Sequence, residues 1–244
     1  MEVASLEQDI RALAEDRSDL WTSSAFGVTR SQRPIPALLH RDAYGASPRQ
    51  TRMLIVAGLS AHSPDVELAL AAARDYTLPG GWTPNAIALT IVPCANPDGL
   101  APGTASGNGA GGAPESGYPP DDGFFYHKSD PEQRYLWRWI CFQGPDLVVS
   151  LASSDTVRWE ANDAAGSIGE ALGATGIGSS DGLLQALGAD GAGGVGSIPG
   201  LHLSSTTEGL RGELHRLWEA IEAAPPRRSD AGAELDRRRS RSPL

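Results

Sequence analysis

The sequence has few cysteines and no long hydrophobic run. Cys94 and Cys141 are its only two cysteines in 244 residues, and each lies in an apolar segment. Isolated cysteines in such segments are typical of buried free thiols rather than of a disulfide or a metal pair. No apolar run approaches the roughly 20 residues of a membrane-spanning helix. Residues 1–17 lack the basic start and apolar middle of a secretion signal. We therefore expect a cytoplasmic protein with no membrane partner.

Positive charge is scarce outside the C-terminal end. The chain has 20 Lys and Arg against 30 Asp and Glu, a formal net charge of −10. An acidic chain of this kind disfavours nucleic acid as a partner. Residues 227–244 differ, because they contain six arginines and three acidic residues. This composition predicts a domain over residues 1–226, followed by a disordered basic tail or linker over residues 227–244.

Apolar runs alternate with helical patterns along the chain. Strands are predicted at residues 33–39, 53–58, 85–92, 145–153 and 198–205. Helical spacing and helix-start signals predict helices at residues 5–17, 64–76, 130–142, 167–173, 181–188 and 209–224. This alternation indicates an α/β sheet flanked by helices. Residues 99–123 are rich in Gly, Pro and Ser, so we expect a mobile loop there that packs no core.

Five segments, taken in order, resemble signatures of the zinc carboxypeptidase (metallocarboxypeptidase) family. They are GVTRSQRPIPAL at 27–38, LIVAGLSAHS at 54–63, IVPCANPDGL at 91–100, GPDLVVSLASS at 144–154 and IPGLHLSS at 198–205. The resemblance spans most of the chain, although each segment is short. It implies the carboxypeptidase fold, an α/β architecture with a mixed, mostly parallel central sheet of about eight strands and helices on both faces.

The same resemblance implies that the metal site is degenerate. In that family a zinc ion held by two His and one carboxylate activates a water, and a separate Glu takes its proton. The matching segments place Ser60 and Ala152 at the two His positions, Ser63 at the carboxylate ligand and Ser204 at the catalytic Glu. Hydroxyls are poor zinc ligands and Ala cannot bind zinc. This register favours an inactive domain without a cofactor, which serves as a binding or scaffold module for a small molecule, a peptide or a neighbouring domain.

A shift of two residues offers an alternative site. His62 and Asp65 then form an H-x-x-D ligand pair, and His202 or His127 supplies the third ligand. This alternative predicts a zinc-dependent metallohydrolase that cleaves a C-terminal amino acid or a related amide. The competing interpretation treats His62 as a solvated loop residue and Asp65 as a first-turn helix residue favoured by the helix dipole.

Two other polar groups are weaker candidates. Asp98 in the N-P-D-G sequence could be catalytic, but these residue types also favour a turn. Ser153, Ser154 and Asp155 follow a predicted strand and could include a nucleophile, although the G-x-S-x-G elbow of α/β hydrolases is absent from the sequence. We therefore expect a turn at Asp98 and no catalytic serine.

Aromatic residues are only 6% of the chain, yet several lie close together. Tyr135, Trp137 and Trp139 lie in one predicted helix, just after Phe124, Phe125 and Tyr126. Side chains two residues apart on a helix cannot face the same way. One tryptophan is therefore predicted to be in the core, and the other to line a groove or a contact with a second domain.

Overall fold

The structure, a computed structural model, describes most of the chain. The described residues are 3–44, 50–77, 86–101, 107–109, 112–120, 130–177, 182–189, 196–226, 233 and 237. The strands are β1 Trp21–Val28, β2 Pro34–His40, β3 Thr51–Ala57, β4 Ile87–Val92, β5 Leu147–Ser153, β6 Arg158–Ala161, β7 Thr175–Gly176 and β8 Gly200–Ser205. The α-helices are α1 Val3–Asp16, α2 Ser63–Tyr76, α3 Pro131–Gln143, α4 Gly166–Leu172, α5 Gly182–Gly188 and α6 Thr207–Ala223.

The strands form one mixed sheet in the order β1-β2-β4-β3-β5-β8-β6-β7. The four central strands β4, β3, β5 and β8 are parallel. Strands β1 and β2 pair antiparallel with their neighbours, and β6 is antiparallel to β8 and parallel to β7. The predicted fold class, a mixed and mostly parallel sheet of about eight strands with helices on both faces, is therefore confirmed.

Two hydrophobic cores lie on opposite faces of the sheet. The larger core contains the buried sides of α1, α2, α4 and α6, and the smaller one contains those of α3 and α5. The two central strands β3 and β4 are buried along their whole length, as expected for parallel strands covered on both faces. Successive residues of these strands supply the two cores in turn, because side chains alternate across a sheet.

The predicted helix starts are confirmed in position and differ in detail. Helix α2 begins at Ser63 with a proline in its first turn, and α3 begins at Pro131 after Asp130. Asp130 occupies the N-cap position but its side chain makes no capping bond. Its Oδ1 instead accepts a hydrogen bond from Arg134 Nε at 3.0 Å. The ion pair therefore replaces the cap that the sequence predicts.

Three strands were not predicted from the sequence. Strand β1 is an edge strand whose Ser and Thr side chains are largely exposed, so it lacks the apolar run of the central strands. Strands β6 and β7 are only four and two residues long. Short strands of this kind depend on a tertiary partner, which for β6 is the antiparallel neighbour β8.

Some of the described residues between 99 and 123, where the sequence predicts a mobile loop, are buried or contact α3. Asn108 is 3% exposed, and Pro114 and Pro120 are buried. Gln133 Nε2 of α3 donates to the carbonyl oxygens of Ser116, at 2.7 Å, and Gly117. Contacts with α3 thus fix this segment in place. The predicted tail over residues 227–244 lies outside the described residues except for positions 233 and 237.

No helix in the described ranges is both long and apolar enough to cross a membrane.

Candidate functional site

The candidate site lies at the carboxyl ends of β3, β5 and β8. From β3 the chain crosses to β4 on one side, and β5 lies on the other side of β3. The strand order therefore reverses between β3 and β5. Ligands of open α/β sheets bind in the crevice that such a reversal opens at the carboxyl ends of the strands.

The backbone turns sharply between β3 and α2. Gly58 and Ala61 have φ angles of +61° and +60°, a conformation that is unfavourable for Ala. A Cβ atom at Gly58 would come within 3.0 Å of Cys94 Cα and of Val66 Cγ2, so only glycine fits. Asn96 supports the turn, because its Nδ2 donates to the Leu59 carbonyl at 3.3 Å. This turn places Ser60 and His62 at the strand ends.

Asp65 is the centre of the hydrogen bonds at this corner. It is 6% exposed, and its Oδ1 accepts a hydrogen bond from the backbone N–H of Ser153 at 2.7 Å. Its Oδ2 lies 3.5 Å from the hydroxyl of Ser60, and its Oδ1 lies 3.2 Å from His62 Nδ1. Asp65 therefore ties the start of α2 to the end of β5.

His62 does not complete a serine hydrolase triad. Its Nδ1 lies 3.1 Å from Ser153 Oγ and 3.2 Å from Asp65 Oδ1. In a triad the imidazole uses one nitrogen for the serine and the other for the carboxylate. Here both contacts fall on the same nitrogen, which cannot accept a proton from Ser153 while donating one to Asp65. The geometry agrees with the sequence-based expectation that Ser153 is not a nucleophile.

Side chains of β5, β8 and β6 form two rows across the same face of the sheet. Ser150, His202 and Glu160 pair in one row. His202 Nδ1 lies 3.3 Å from Ser150 Oγ, and its Nε2 lies 3.2 Å from Ser204 Oγ. Both ring nitrogens of His202 are thus within hydrogen-bond distance of a serine hydroxyl.

The second row contains Ala152, Ser204 and Arg158. Arg158 and Glu160 lie on the same face of β6, and the Arg158 guanidinium is 3.2 Å from Glu160 Oε2. The sequence analysis missed this pair. The sequence feature that could have indicated the pair is the alternation of Arg158, Trp159 and Glu160. Such alternation is typical of a short strand with one polar face.

A cavity of about 210 Å³ opens above these rows, and we call it the strand-end cavity. Its polar lining consists of Ser60, Asp65, Glu115, Ser150, Arg158, Glu160 and His202, and its apolar lining includes Ala152. Glu115 reaches the cavity from the packed part of residues 112–120. No sequence signal indicated Glu115, because a Gly- and Pro-rich segment does not reveal where it folds back.

The residues at the expected zinc-ligand positions can be compared with the lining of the cavity. Ser60 and Ala152, which the resemblance places at the two His positions, both line the cavity. Neither is a good zinc ligand. Of the alternative set, His62 and Asp65 are in contact and His202 lines the same cavity as Asp65. Within the described residues, no group of three or more His, Cys, Asp or Glu side chains is arranged to hold a metal ion. His127 lies outside them.

Asp98 lies in the turn that the N-P-D-G sequence predicts, a 3-10 helix over Pro97–Leu100, and its carboxylate holds a second turn at residues 29–33. It is 6% exposed; its Oδ1 accepts from Thr29 Oγ1 and its Oδ2 from the N–H of Ser31, each at 2.9 Å. The Arg33 guanidinium lies 3.9 Å from Oδ1. We call residues 29–33 together with Asp98 and Glu132 the anchored turn.

Glu132 at the start of α3 holds the other side of the anchored turn. It is 1% exposed, and its two oxygens accept from the Arg30 N–H at 3.2 Å and from Asn108 Nδ2 at 2.7 Å. Burial raises the pKa of Glu132, because a carboxylate loses hydration inside the protein, while the bond from Asn108 partly opposes that rise. Both carboxylates therefore serve structure.

The remaining sequence predictions concern thiols and aromatic residues. Cys94 and Cys141 are buried thiols outside any disulfide, as predicted, and burial raises the pKa of each to about 12. Trp137 is 3% exposed and lies in the core. Trp139 is half-buried, stacks on Phe26 with ring centroids 5.5 Å apart and donates to Tyr44 Oη at 3.0 Å. Residues 124–126 lie outside the described ranges.

The comparisons with known proteins identify the fold of this chain. No protein-family model and no curated protein matches the sequence. Among solved structures, a metallo-carboxypeptidase from Burkholderia cenocepacia aligns with a TM-score of 0.68 at 15% identity, over 91% of this chain and 69% of that chain. Carboxypeptidase A from Helicoverpa armigera aligns with a TM-score of 0.58 at 13% identity, over 99% and 75% of the two chains.

A third structure, the murein-tripeptide amidase MpaA from Escherichia coli O157, aligns with a TM-score of 0.52 at 15% identity. The alignment covers 82% of this chain and 90% of the amidase. Identities this low show a shared fold and leave the activity of this chain undetermined. The chain therefore has the fold of the metallocarboxypeptidases.

Proposed function

We propose that this chain is a carboxypeptidase-like domain that binds a small ligand in the strand-end cavity and does not hydrolyse peptides. The supporting observation is the composition of the cavity wall. Ser60 and Ala152 line the cavity at the positions where the resemblance expects zinc ligands. A hydroxyl and a methyl group cannot replace two imidazoles around zinc.

The position of Ser204 supports the same proposal. The resemblance places the catalytic glutamate at this residue, and its hydroxyl lies 3.2 Å from His202 Nε2. A serine hydroxyl is too weak a base to take a proton from water at neutral pH. With serine and alanine at the positions where the resemblance expects the zinc ligands and the glutamate, the proposal gives this cavity a binding role and no hydrolytic one.

The first test measures zinc and hydrolysis on the full chain. We expect no stoichiometric zinc after dialysis against zinc and no release of the C-terminal residue from N-blocked dipeptides. Stoichiometric zinc together with hydrolysis would overturn the proposal.

A second test restores the ligands that the resemblance expects. We predict that a triple variant, Ser60→His with Ser63→Glu and Ala152→His, takes up one zinc ion per chain, because it restores the three ligands at the positions that the resemblance gives them. The double variant without Ala152→His is the matched control and should bind zinc more weakly. A triple variant that takes up no zinc would refute the correspondence between these positions and the zinc ligands.

The contact between His62 and Asp65, at 3.2 Å, favours one second candidate. In this alternative the chain is a metallohydrolase with a rearranged zinc site, and His202 is the third ligand. It predicts that both His62→Ala and His202→Ala abolish zinc binding and hydrolysis. Retention of zinc in either variant would contradict it.

A further inference from the structure

We propose that β1 is a dimer interface, at which the β1 strands of two copies of this chain pair antiparallel and continue the sheet. This surface lies at the end of the sheet, away from the strand-end cavity, so the inference does not rest on the proposed function. Its physical basis is an open strand edge without charged side chains, together with opposite charges beyond the two ends of the strand.

The outer edge of β1 is open to solvent over residues 22–25. Among the described strands, β2 is the neighbour of β1 on one side, and β1 ends the sheet on the other. Side chains of successive residues alternate between the two faces of a strand, yet Thr22, Ser23 and Ala25 are all exposed. Helices α1 and α3 therefore leave this part of the edge uncovered on both faces.

The backbone groups of Ser23 and Ala25 point away from β2. The carbonyl of Leu20 accepts a hydrogen bond from the Arg41 N–H at 2.9 Å, and hydrogen-bonded pairs alternate with non-hydrogen-bonded pairs along an antiparallel ladder. Ser23 and Ala25 fall at non-hydrogen-bonded pairs, and Ala25 lies opposite Pro36, which has no N–H. Their outward N–H and C=O groups form a template for another strand.

Over residues 21–25, β1 has no feature that protects an edge strand against pairing. Natural edge strands are commonly protected by lysine, by proline or by a bulge. The sequence of β1, WTSSAFGV, contains no charged residue and no proline. The register shift of β1 falls between Ala25 and Gly27, so residues 21–25 stay in regular register with β2. These five residues are the stretch available for pairing.

The charges beyond the two ends of β1 favour a second copy of the chain as the partner. Asp16 and Asp19 precede the strand, Arg30 and Arg33 follow it, and all four are exposed. In an antiparallel pair related by a twofold axis, the start of each strand lies beside the end of the other. The acidic end of each copy therefore lies near the basic end of its partner, so the contact between opposite charges occurs twice.

This charge pattern matters because the chain is acidic. Two copies with a formal net charge of −10 repel each other at long range, so association is favoured at a neutral edge with complementary ends. Asp19 already pairs with Arg17 at 2.9 Å, and Arg33 lies 3.9 Å from Asp98. Asp16 and Arg30 are therefore the charges through which the contact is best tested.

The directions of the backbone groups also set the register of the dimer. When Ser23 pairs with Ala25 of the partner subunit, the outward N–H and C=O groups of both residues form hydrogen bonds. Ser24 then lies on the twofold axis, opposite Ser24 of the partner subunit. This is a non-hydrogen-bonded pair, in which the two Cα atoms are about 4.5 Å apart.

The face of β1 that carries Ser24 also carries aromatic surface. Trp21 packs in the larger core and Phe26 in the smaller one, so Ser24 lies on the face of Phe26. Phe26 stacks on Trp139, which donates to Tyr44, and Tyr44 is 41% exposed. A partner strand beside β1 extends this face and buries more of its apolar surface, which adds to the stability of the dimer.

The first measurement is the mass of the unmodified chain in solution. Sedimentation equilibrium at concentrations up to about 1 mM should show a reversible change from the monomer mass to twice that mass. A chain that keeps the monomer mass over the whole range would overturn the proposal.

Substitutions at the edge test whether β1 is the interface. Ala25→Lys places a charge on the paired edge, and we expect it to raise the dissociation constant of the dimer by at least about tenfold. Ala171→Lys is the matched control, because Ala171 is exposed on α4, and it should change the constant by less than about twofold. Ala25→Pro removes an outward N–H and serves if Ala25→Lys does not fold. Equal constants for the edge variant and Ala171→Lys would overturn the proposal.

A charge exchange tests the antiparallel orientation. Arg30→Glu places an acidic residue near the acidic end of the partner, and it should raise the dissociation constant by about threefold or more at low salt. Adding Asp16→Arg to the same chain restores opposite charges and should return the constant toward the wild-type value. A double variant that dimerises more weakly than Arg30→Glu alone would contradict this orientation.

Cysteine substitutions test the register. Ser24→Cys should give a disulfide-linked dimer on mild oxidation, because Cα atoms about 4.5 Å apart suit a disulfide. Thr22→Cys is the matched control, since the two copies of residue 22 are offset by four residues, or about 14 Å. The native Cys94 and Cys141 are buried, so they should contribute little. Equal cross-linking of the two variants would overturn the proposed pairing.

Discussion

The anchored turn and the strand-end cavity both contain carboxylates, but they use them differently. In the anchored turn, Asp98 and Glu132 are almost completely buried, and each has donors on both oxygens. In the cavity, Glu160 faces an exposed arginine, and Glu115 has a buried oxygen with no partner. The first pair is satisfied by the chain itself, whereas Glu115 and Glu160 line a cavity that is open to solvent.

This difference predicts which carboxylates contribute more to the stability of the fold. Two of the four donors in the anchored turn are backbone N–H groups, those of Ser31 and Arg30, which have few other partners in a turn. Removing such an acceptor leaves a buried donor unsatisfied. Removing an exposed partner at the cavity lets water take its place. Stability measurements should therefore rank the two regions clearly.

The largest effect is expected for Asp98→Ala. This substitution leaves Thr29 Oγ1 and the Ser31 N–H without their acceptors, and we expect a loss of about 2–4 kcal/mol in the free energy of unfolding. Asp163→Ala is the matched control, since Asp163 is exposed in the first turn of the 3-10 helix Asp163–Ala165. It should cost less than about 0.5 kcal/mol. Urea unfolding measures both, and equal losses would refute the structural role of Asp98.

Glu132 should produce a pH dependence of stability. Its pKa is raised in the folded state, so the folded protein holds this proton more tightly than the unfolded chain does. Stability from this group is present below the unfolded pKa, about 4.3, and is lost as pH rises through the folded pKa. As the pH rises from acidic to neutral values, the free energy of unfolding should therefore fall less in the Glu132→Gln variant than in the wild type.

The control for this pH dependence is Glu170→Gln, because Glu170 is exposed on α4. Unfolding free energies from urea titrations across the acidic range give the difference between each variant and the wild type. Parallel pH profiles for Glu132→Gln and the wild type would show that the carboxyl of Glu132 does not contribute.

The smallest effect is expected at the cavity rim. The hydroxyl of Ser153 lies 3.1 Å from the exposed ring of His62, and water can replace it, so Ser153→Ala should cost under about 0.5 kcal/mol. Thr29→Val is the comparison in the anchored turn. It removes a buried hydroxyl that donates to Asp98 and accepts from the Arg33 N–H, and it should cost about 1–2 kcal/mol. Thermal or urea unfolding that reversed this order would contradict the distinction between the regions.

Much of the fold could be predicted from the sequence because its signals are local. The apolar runs of β3, β4 and β5 and the helical spacing of α6 were sufficient to place these elements, and Leu210, Leu214, Leu217 and Ile221 are buried on one side of α6 as predicted. Strand β1 could not be predicted in the same way. Its serines and threonines face solvent at the edge of the sheet, so it has neither an apolar run nor a helical period.

The site was predictable only in outline. The corner containing Ser60, His62 and Asp65 could be located because a polar turn follows a buried strand. Glu115 lies 50 residues after Asp65, in a segment whose composition indicated no packing, and its approach depends on Gln133 and Trp137 of α3. Such a contact is set by the tertiary arrangement and leaves no periodic pattern in the sequence.

The sequence by itself determined the alternation of strands and helices, the acidic character of the chain and the polar corner after β3. Only the tertiary structure decided which polar residues are neighbours. It paired Ser150 with His202 across adjacent strands and brought Glu115 and Glu160 to the same cavity. The reason is physical: backbone periodicity depends on neighbours within a few residues, whereas a cavity forms where distant segments pack and leave their polar groups incompletely paired.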